Sequence, residues 1–277
     1  MPSRVDLHTH SHCSDGVLSP AALVGLAAAR EVEVLALTDH DSAAGCEEAR
    51  AACAAQGIRF VPGAELSCRW RDREIHVVGL NLDLAHASFV AHCAAVLELR
   101  RQRITAIGER LSRAGLPGGA LAEEALSARS PTRAHVARGL CSRGLAASVQ
   151  DAFDRWLRRG QPGYVGAPWP ELATAVRCIV EAAGVAVLAH PHRYPLSNGV
   201  LRELVGEFKA AGGAGLEVSL AGMGAADAER AATLARRFDL AGSIGSDFHE
   251  PGLPWRPLGR FAKLPDRIMP IMARLGL

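Results

Sequence analysis

VDLHTH, residues 5–10, is the stretch on which the reading of this chain turns. Val5 and Leu7 alternate with polar neighbours as in a half-buried strand, and the strand runs directly into two histidines. Residues two apart on an extended chain point the same way, so His8 and His10 aim at one point in space. Working outward, the same arrangement recurs. Short apolar runs at residues 4–7, 34–38, 58–62, 74–79, 185–189, 215–218 and 241–245 each carry, or end beside, a metal-ligand type of residue. The first is followed by His8, His10 and Asp15. The second ends in Asp39, His40 and Asp41, and the third in Glu65. The fourth carries His76, the fifth ends in His190 and His192, the sixth in Glu217, and the seventh in Asp247 and His249.

Between most of these runs lie helical stretches rich in Ala, Leu and Arg, at residues 20–30, 44–56 and 225–237. The first opens with Pro20 behind Ser19, an N-terminal capping arrangement. Strands that alternate with helices imply an α/β fold with a parallel sheet or barrel, and β/α folds place their sites at the C-terminal ends of the strands. Seven strands suit a (β/α) barrel and also an open doubly wound sheet. One stretch breaks the rhythm. From residue 97 to 165 no strand is evident, and residues 89–111, 132–143 and 149–157 read as helices. The expected organisation is a barrel of residues 1–96 and 166–277 with a helical insert domain, 97–165, covering the site. The insert holds 12 Arg against 6 acidic residues, while the rest of the chain is net negative. Such a surplus fits either a solvated helical surface or a cationic cover over an anion site.

Of 277 residues, 49% are hydrophobic and 22% charged, an ordinary globular balance. Only 5% are aromatic, so aliphatic side chains must fill the core. The formal charge of +2 does not by itself point to nucleic acid. Seven cysteines stand singly, with no CxxC pair, which argues for a reducing compartment and against a disulfide framework or a cysteine-based zinc site. No apolar run suits a signal core or a membrane span, so the expected location is the cytoplasm.

Each motif alone is weak, since a strand-end histidine is often only hydrogen-bonded and TDH or SDFH can be caps or turns. The combination carries the argument. Six of the 11 histidines (His8, His10, His40, His76, His190 and His249) fall at strand ends together with carboxylates. Imidazole and carboxylate together suit Zn, Mn or Fe, whereas carboxylates alone favour Mg or Ca.

The motifs DLHTHSHCSDG (6–16), LALTDHD (35–41), VPGAELS (61–67), EIHVVGLNLD (74–83), AHPHRY (189–194) and GSDFH (245–249) resemble, in their order, those of the PHP family, the polymerase and histidinol phosphatase family of the amidohydrolase superfamily. The resemblance runs through the whole chain. It implies a distorted (β/α)7 barrel and a metal set of His8, His10, Asp15, His40, Glu65, His76, His190, Asp247 and His249. By similarity, one ion sits on His8, His10, Glu65 and Asp247, a second on Glu65, His76 and His190, and a third on Asp15, His40 and His249. Asp39 is then a carboxylate that orients a ligand imidazole. Together with SPTRAHVAR (130–138), the motifs are similar to a bacterial subgroup of nucleoside 3′,5′-bisphosphate phosphatases, related members of which trim RNA from the 5′ end. The chain departs from that subgroup at His192, where glycine is expected.

The resemblance implies a metal-dependent hydrolase carrying two or three divalent ions, Mn2+ first, with Fe2+, Zn2+ or Mg2+ as alternatives. Such ions make a nucleophile from water at neutral pH, and arginines neutralise charge on the phosphoryl oxygens. The expected catalytic residues are Glu65, Asp247, His249, His192 and Arg193, with His192 or His249 as proton donor. The expected substrate contacts are Ser14, Ser67, Arg133, His135 and Arg193. The first expected substrate is adenosine 3′,5′-bisphosphate, with AMP as product. The alternatives are a 5′→3′ exoribonuclease on short RNA, for which Trp70, Trp156, Trp169 and Tyr194 are the stacking candidates, histidinol phosphate hydrolysis, or a non-catalytic polymerase-accessory module. Neither a membrane nor an obligate protein partner is expected.

Overall fold

The computed structural model describes residues 4–253 and 256–277. Its strands are β1 (Val5–Asp6), β2 (Val34–Leu37), β3 (Arg59–Trp70), β4 (Arg73–Leu80), β5 (Val185–Leu188), β6 (Gly215–Leu220) and β7 (Ala241–Gly245). They form one sheet in sequence order. The last strand returns to the first: Leu7 N–H donates to Ile244 O at 3.2 Å, Asp247 N–H to His8 O at 2.8 Å, and His10 N–H to Phe248 O at 2.9 Å. The result is a nearly closed seven-stranded barrel, the distorted barrel expected.

Period-two alternation separates two environments on each strand. On β3, Ala64, Leu66, Cys68 and Trp70 point outward into a core shared with the helices, while Val61 belongs to the barrel interior. Glu65 and Ser67 share the parity of Val61. On β4, Ile75 and Val77 point outward, and Val78 and Leu80 inward on the face that also carries His76. Ala36, Val61, Val78, Leu80 and Val187 plug the barrel's lower interior. The polar side chains occupy the other end. Outside, α1 (Pro20–Ala29), α2 (Cys46–Gln56), α7 (Leu172–Glu181), α8 (Asn198–Ala210) and α9 (Ala225–Arg237) cover the sheet. The fully buried Phe208 anchors α8 against it; burying such a side chain stabilises by roughly 1.5–3 kcal/mol. Ser19 caps α1, its hydroxyl accepting from Ala22 N–H at 3.1 Å ahead of Pro20, as the sequence predicts.

The sheet differs from the sequence reading at its middle. β3 is 12 residues long and pairs antiparallel with β4, which in turn pairs antiparallel with β5. A two-residue turn, Arg71-Asp72, joins β3 to β4, with Arg71 at φ 56°. The turn lacks the Gly or Asn that announces a tight hairpin, and this hid the pairing. Glu65 therefore lies in mid-strand. His76 lies in the first half of β4, and because β4 runs backwards, that half is at the end of the barrel where the parallel strands finish.

Between β4 and β5 run α3 (Ala87–Arg113), α4 (Gly118–Leu126), α5 (Arg133–Ser142), α6 (Val149–Ala152) and a π turn, Phe153–Leu157. The boundary expected at residue 97 falls inside α3. Phe89, near the start of that helix, belongs to the core beside the barrel, and Ile104, Ile107 and Leu111 belong to a separate core with α4 and α5. Thr132 caps α5 in a reciprocal box: its hydroxyl accepts from Ala134 N–H, while Nδ1 of His135 accepts from Thr132 N–H at 3.1 Å. His135 is thus part of the helix start.

Candidate metal centre

Glu65 is the hub of the polar end. Its Oε2 lies 3.3 Å from His8 Nε2, 3.3 Å from His10 Nε2 and 3.1 Å from His40 Nδ1. Its Oε1 lies 3.0 Å from His76 Nδ1 and 2.9 Å from His190 Nε2. Five imidazoles therefore converge on one buried carboxylate. Asp247 Oδ1 joins at 3.4 Å from His8 Nε2 and 3.3 Å from His10 Nε2. Asp15 stands on the other flank, 3.7 Å from His40 Nε2 and 3.3 Å from His249 Nε2. All nine residues expected as ligands meet here, drawn from β3, β4 and the loops after β1, β2, β5 and β7.

The donor atoms fall into three overlapping groups, each within 4.8 Å: His8, His10, Glu65 and Asp247; His10, Asp15, His40 and His249; and His40, Glu65 and His76. The first is the set expected for one ion. The second adds His10 to the expected third set. In the group at Glu65 and His76, His40 stands where His190 was expected, and His190 meets the same Glu65 oxygen, Oε1, as His76.

Second-layer contacts fix the rings. Glu217 Oε1 lies 2.7 Å from His8 Nδ1, which leaves Nε2 facing the cluster. His249 Nδ1 lies 2.9 Å from Asp247 O, leaving its Nε2 toward Asp15. Asp39 accepts from Ser14 Oγ at 2.7 Å, and Ser14 Oγ in turn lies 3.5 Å from His10 Nδ1, so Asp39 acts on His10 through a serine. Tyr194 hydroxyl accepts from His76 N–H at 3.0 Å, and its ring meets His190 edge-on. Sequence reasoning marked Glu217 as a strand-end residue without giving it a role, and took Tyr194 for a stacking platform. The signal available for Glu217 was its place at the end of the sixth apolar run.

The backbone is strained where it delivers these groups. His190 has φ 30°, Asp41 φ 47° and Asp247 φ 51°, left-handed values that cost about 1–2 kcal/mol at non-glycine residues.

Burial alone would raise the carboxyls of Asp15, Glu65 and Asp247. For Asp15 and Glu65 the surrounding imidazoles outweigh it, and for Asp247 the guanidiniums of Arg193 and Arg256 lead; all three are held well below the usual carboxylate range. Burial opposes charge on His10, but bonds to Asp247 and Glu65 push its pKa up to about 9, and Glu65 and Glu74 push His76 up to about 10. At His40 burial wins and holds the pKa at about 3. Buried Nδ1 atoms of His40 and His190 have no hydrogen-bond partner. Three carboxylates, six imidazoles and orphaned buried nitrogens form an N/O donor set that fits divalent ions.

Beside the cluster lies a cavity of about 90 Å³, walled by Asp15, His40 and His76 on one side and by Arg103, Thr132 and Arg133 on the other. Arg103 is bound to Glu74 at 3.1 Å and to Val165 O at 3.0 Å. Arg133 touches Glu74 only at 3.4 Å, and its guanidinium lies over Phe153 of the π turn. Arg193 pairs with Asp247 Oδ2.

Three expected substrate contacts have their hydrogen bonds taken elsewhere, and the expected proton donor His192 stands apart from the donor groups. Ser14 and Ser67 are fully buried, Ser14 spent on Asp39 and Ser67 on Arg100. His135 is spent on the α5 cap. His192 belongs to no donor group among the described residues, and burial, with Arg193 and His190, lowers its pKa to about 4. Trp70 and Trp169 are core residues, closed to a stacking base.

A PHP-domain model matches residues 6–161. A 5′-3′ exoribonuclease of Haemophilus influenzae is 42% identical over 271 residues, covering 98% of each chain. A 3′,5′-nucleoside bisphosphate phosphatase of Chromobacterium violaceum is 39% identical over 276 residues, covering 99% of this chain and 96% of that one. An amidohydrolase structure from Chromobacterium violaceum, with sulfate and no metal, superposes with a TM-score of 0.94 at 38% identity over 99% and 96% of the two chains. A Bifidobacterium adolescentis structure assigned as a metal-dependent phosphoesterase gives 0.81 at 26% identity over 98% and 94%. This chain belongs to the PHP domain family. Its donor cluster and these relatives make it a metal-dependent phosphoric ester hydrolase.

Proposed function

We propose that the protein removes the 3′-phosphate from nucleoside 3′,5′-bisphosphates, adenosine 3′,5′-bisphosphate first among them, leaving the nucleoside 5′-phosphate and inorganic phosphate. The observation that carries this reading is the small cavity in which cluster residues face Arg133. A space of about 90 Å³ beside the cluster accommodates a phosphoryl group. Arg133 makes one contact to Glu74 at 3.4 Å where Arg103 makes several, so a phosphate would compete with Glu74 for it, assisted by the positive N-terminal end of α5. The 39%-identical phosphatase supports the same substrate class.

In this reading the nine expected residues hold two or three divalent ions, with Mn2+ the first to test. When bound, the ions supply a water-derived nucleophile at neutral pH and neutralise charge on the transferring phosphoryl group. Glu65, which meets five imidazoles, would be shared between ions, and Asp247 is oriented by Arg193 and Arg256. Arg193 would take a second phosphate in competition with Asp247. Residues 97–165 serve as the cover that narrows the cavity and excludes water. Among the described residues no helix is long and apolar enough to cross a membrane; the lone free cysteines fit a cytoplasmic setting.

The 42%-identical exoribonuclease favours a second reading, trimming of short 5′-phosphorylated RNA at the same site. Phosphate and mononucleotide release from Mn-loaded protein tests both. Adenosine 3′,5′-bisphosphate, AMP, histidinol phosphate and a 5′-phosphorylated RNA trinucleotide would be compared. Fast release from the bisphosphate alone, leaving 5′-AMP, supports the first reading; mononucleotides from the trinucleotide at a comparable rate transfer the assignment to the second.

A further inference from the structure

The buried ion pair of Arg100 and Asp41 lies outside the donor set yet adjoins it, with Arg100 in the wall of the cavity and Asp41 N–H bonded to Glu65 O. Arg100, on α3, donates from Nε and Nη2 to Asp41 Oδ2 at 2.8 and 2.5 Å. Nη2 also reaches Ser67 Oγ at 2.8 Å, and Nη1 reaches Pro131 O at 3.3 Å. The other Asp41 oxygen accepts from Ser67 N–H at 2.7 Å, and Asp41 N–H donates to Glu65 O at 3.0 Å. Ser130 Oγ, in the loop ahead of α5, donates to His40 O at 2.7 Å. One buried node thus joins α3, the turn after β2, strand β3 and the approach to α5. Both charged residues are nearly inaccessible, and the Arg100 guanidinium lies 5.2 Å from the Trp169 ring.

A buried ion pair returns little net stability compared with well-packed apolar residues, because both charges must be desolvated. What this one supplies is direction. The fork of Arg100 fixes a left-handed turn at Asp41 that a non-glycine residue does not favour alone. His40, the preceding residue, is thereby aimed between Asp15 and Glu65.

We propose that Arg100 is a positioning residue for His40, so that docking of the helices between β4 and β5 and metal binding at the His40 corner form one coupled event. The proposal rests on the reading of His40 as a metal donor. It makes the helical segment a part of the metal centre's construction as well as its cover.

The test uses full-length protein freed of metal and titrated with Mn2+, comparing wild type, His40→Ala, the double variant Arg100→Met/Asp41→Asn, and Arg100→Lys. The double variant removes both charges and so leaves no unpaired buried ion. It is expected to keep a wild-type-like Tm while binding one Mn2+ fewer, or the last Mn2+ about 10–100-fold more weakly. Its kcat should fall with KM little changed, and Mn2+ should no longer protect residues 97–165 from proteolysis. Arg100→Lys keeps the charge and loses the fork, so it should show the same Mn2+ defect; it decides the matter if the double variant does not fold. Either folded variant with full Mn2+ stoichiometry, affinity and kcat overturns the coupling. His40→Ala separates the premise: if it binds the full Mn2+ complement, His40 is no donor and the proposal falls with that reading. If His40→Ala loses an ion while the folded Arg100 variants do not, the coupling alone is overturned.

Discussion

Glu217 Oε1 lies 2.7 Å from Nδ1 of His8, two residues 209 positions apart in the chain, and this contact decides which nitrogen of His8 faces the metal centre. Both are inaccessible to solvent. Replacing Glu217 with Gln keeps the shape and removes the charge that makes the imidazole a better donor. Mn2+ affinity is expected to fall about 10–100-fold with the fold intact. Titration of the metal-free variant, with circular dichroism as control, checks this; wild-type affinity would show that the contact does not tune the ligand.

Gly245 closes the back of the same histidine. A Cβ at that position would lie 2.6 Å from His8 Cβ and 2.9 Å from His8 N, atoms at the backbone that cannot swing aside. Gly245→Ala should therefore displace His8, lowering Mn2+ affinity and kcat together. The fold should survive, and activity measured at saturating Mn2+ should recover only in part.

Arg133 is expected to act on binding. Arg133→Ala should raise KM for a nucleoside 3′,5′-bisphosphate more than for an aryl phosphate, by about tenfold for the loss of one charge-assisted contact of roughly 1.5 kcal/mol. Steady-state kinetics on both substrates provides the check. Equal effects on the two would remove Arg133 as an anchor for the nucleotide.

Chelation should loosen the whole barrel end. Ions that bind the folded state alone add about 2.7 kcal/mol per site at a hundredfold excess over Kd. EDTA is expected to lower Tm by several degrees, with Mn2+ restoring it in a concentration-dependent way in differential scanning calorimetry. A Tm indifferent to both would separate the donor cluster from metal binding.

Glu74 gives a pH signature at the cavity wall, where it pairs with Arg133, Arg103 and His76. Burial opposes its charge, but Arg133, Arg103 and His76 hold its pKa well below the ordinary glutamate value of 4.5. A depressed folded-state pKa means stability that is fully present above 4.5 and is lost as pH falls through the lower folded value. Glu74→Gln should thus be less stable than wild type at pH 7, and the two Tm curves should converge only well below pH 4.5. A constant offset across that range would contradict the assignment.

Much of the metal centre was legible in the sequence because residue type and strand-end position are local properties. His8 and His10 share a strand parity, and His40, His190, Asp247 and His249 each follow an apolar run directly. The substrate side was less legible. Ser14, Ser67 and His135 have the right chemistry for substrate contacts, yet their hydrogen bonds are taken by Asp39, Arg100 and the α5 cap. A side chain's spare hydrogen-bonding capacity depends on neighbours that periodicity does not reveal.

Seven strands, the chain order of the nine candidate donors, the helical run between the fourth and fifth strands and the cap at Ser19 could be read from the chain alone, since all follow from the spacing of apolar residues and from local backbone chemistry. The reversed direction of β4, the convergence of five imidazoles on Glu65, the hold of Glu217 on His8 and the buried Arg100–Asp41 node emerged with the folded structure. Each of these depends on which distant segments share a buried space, and the partner of a buried polar group is chosen by packing across the fold, where desolvation makes an unmet bond costly.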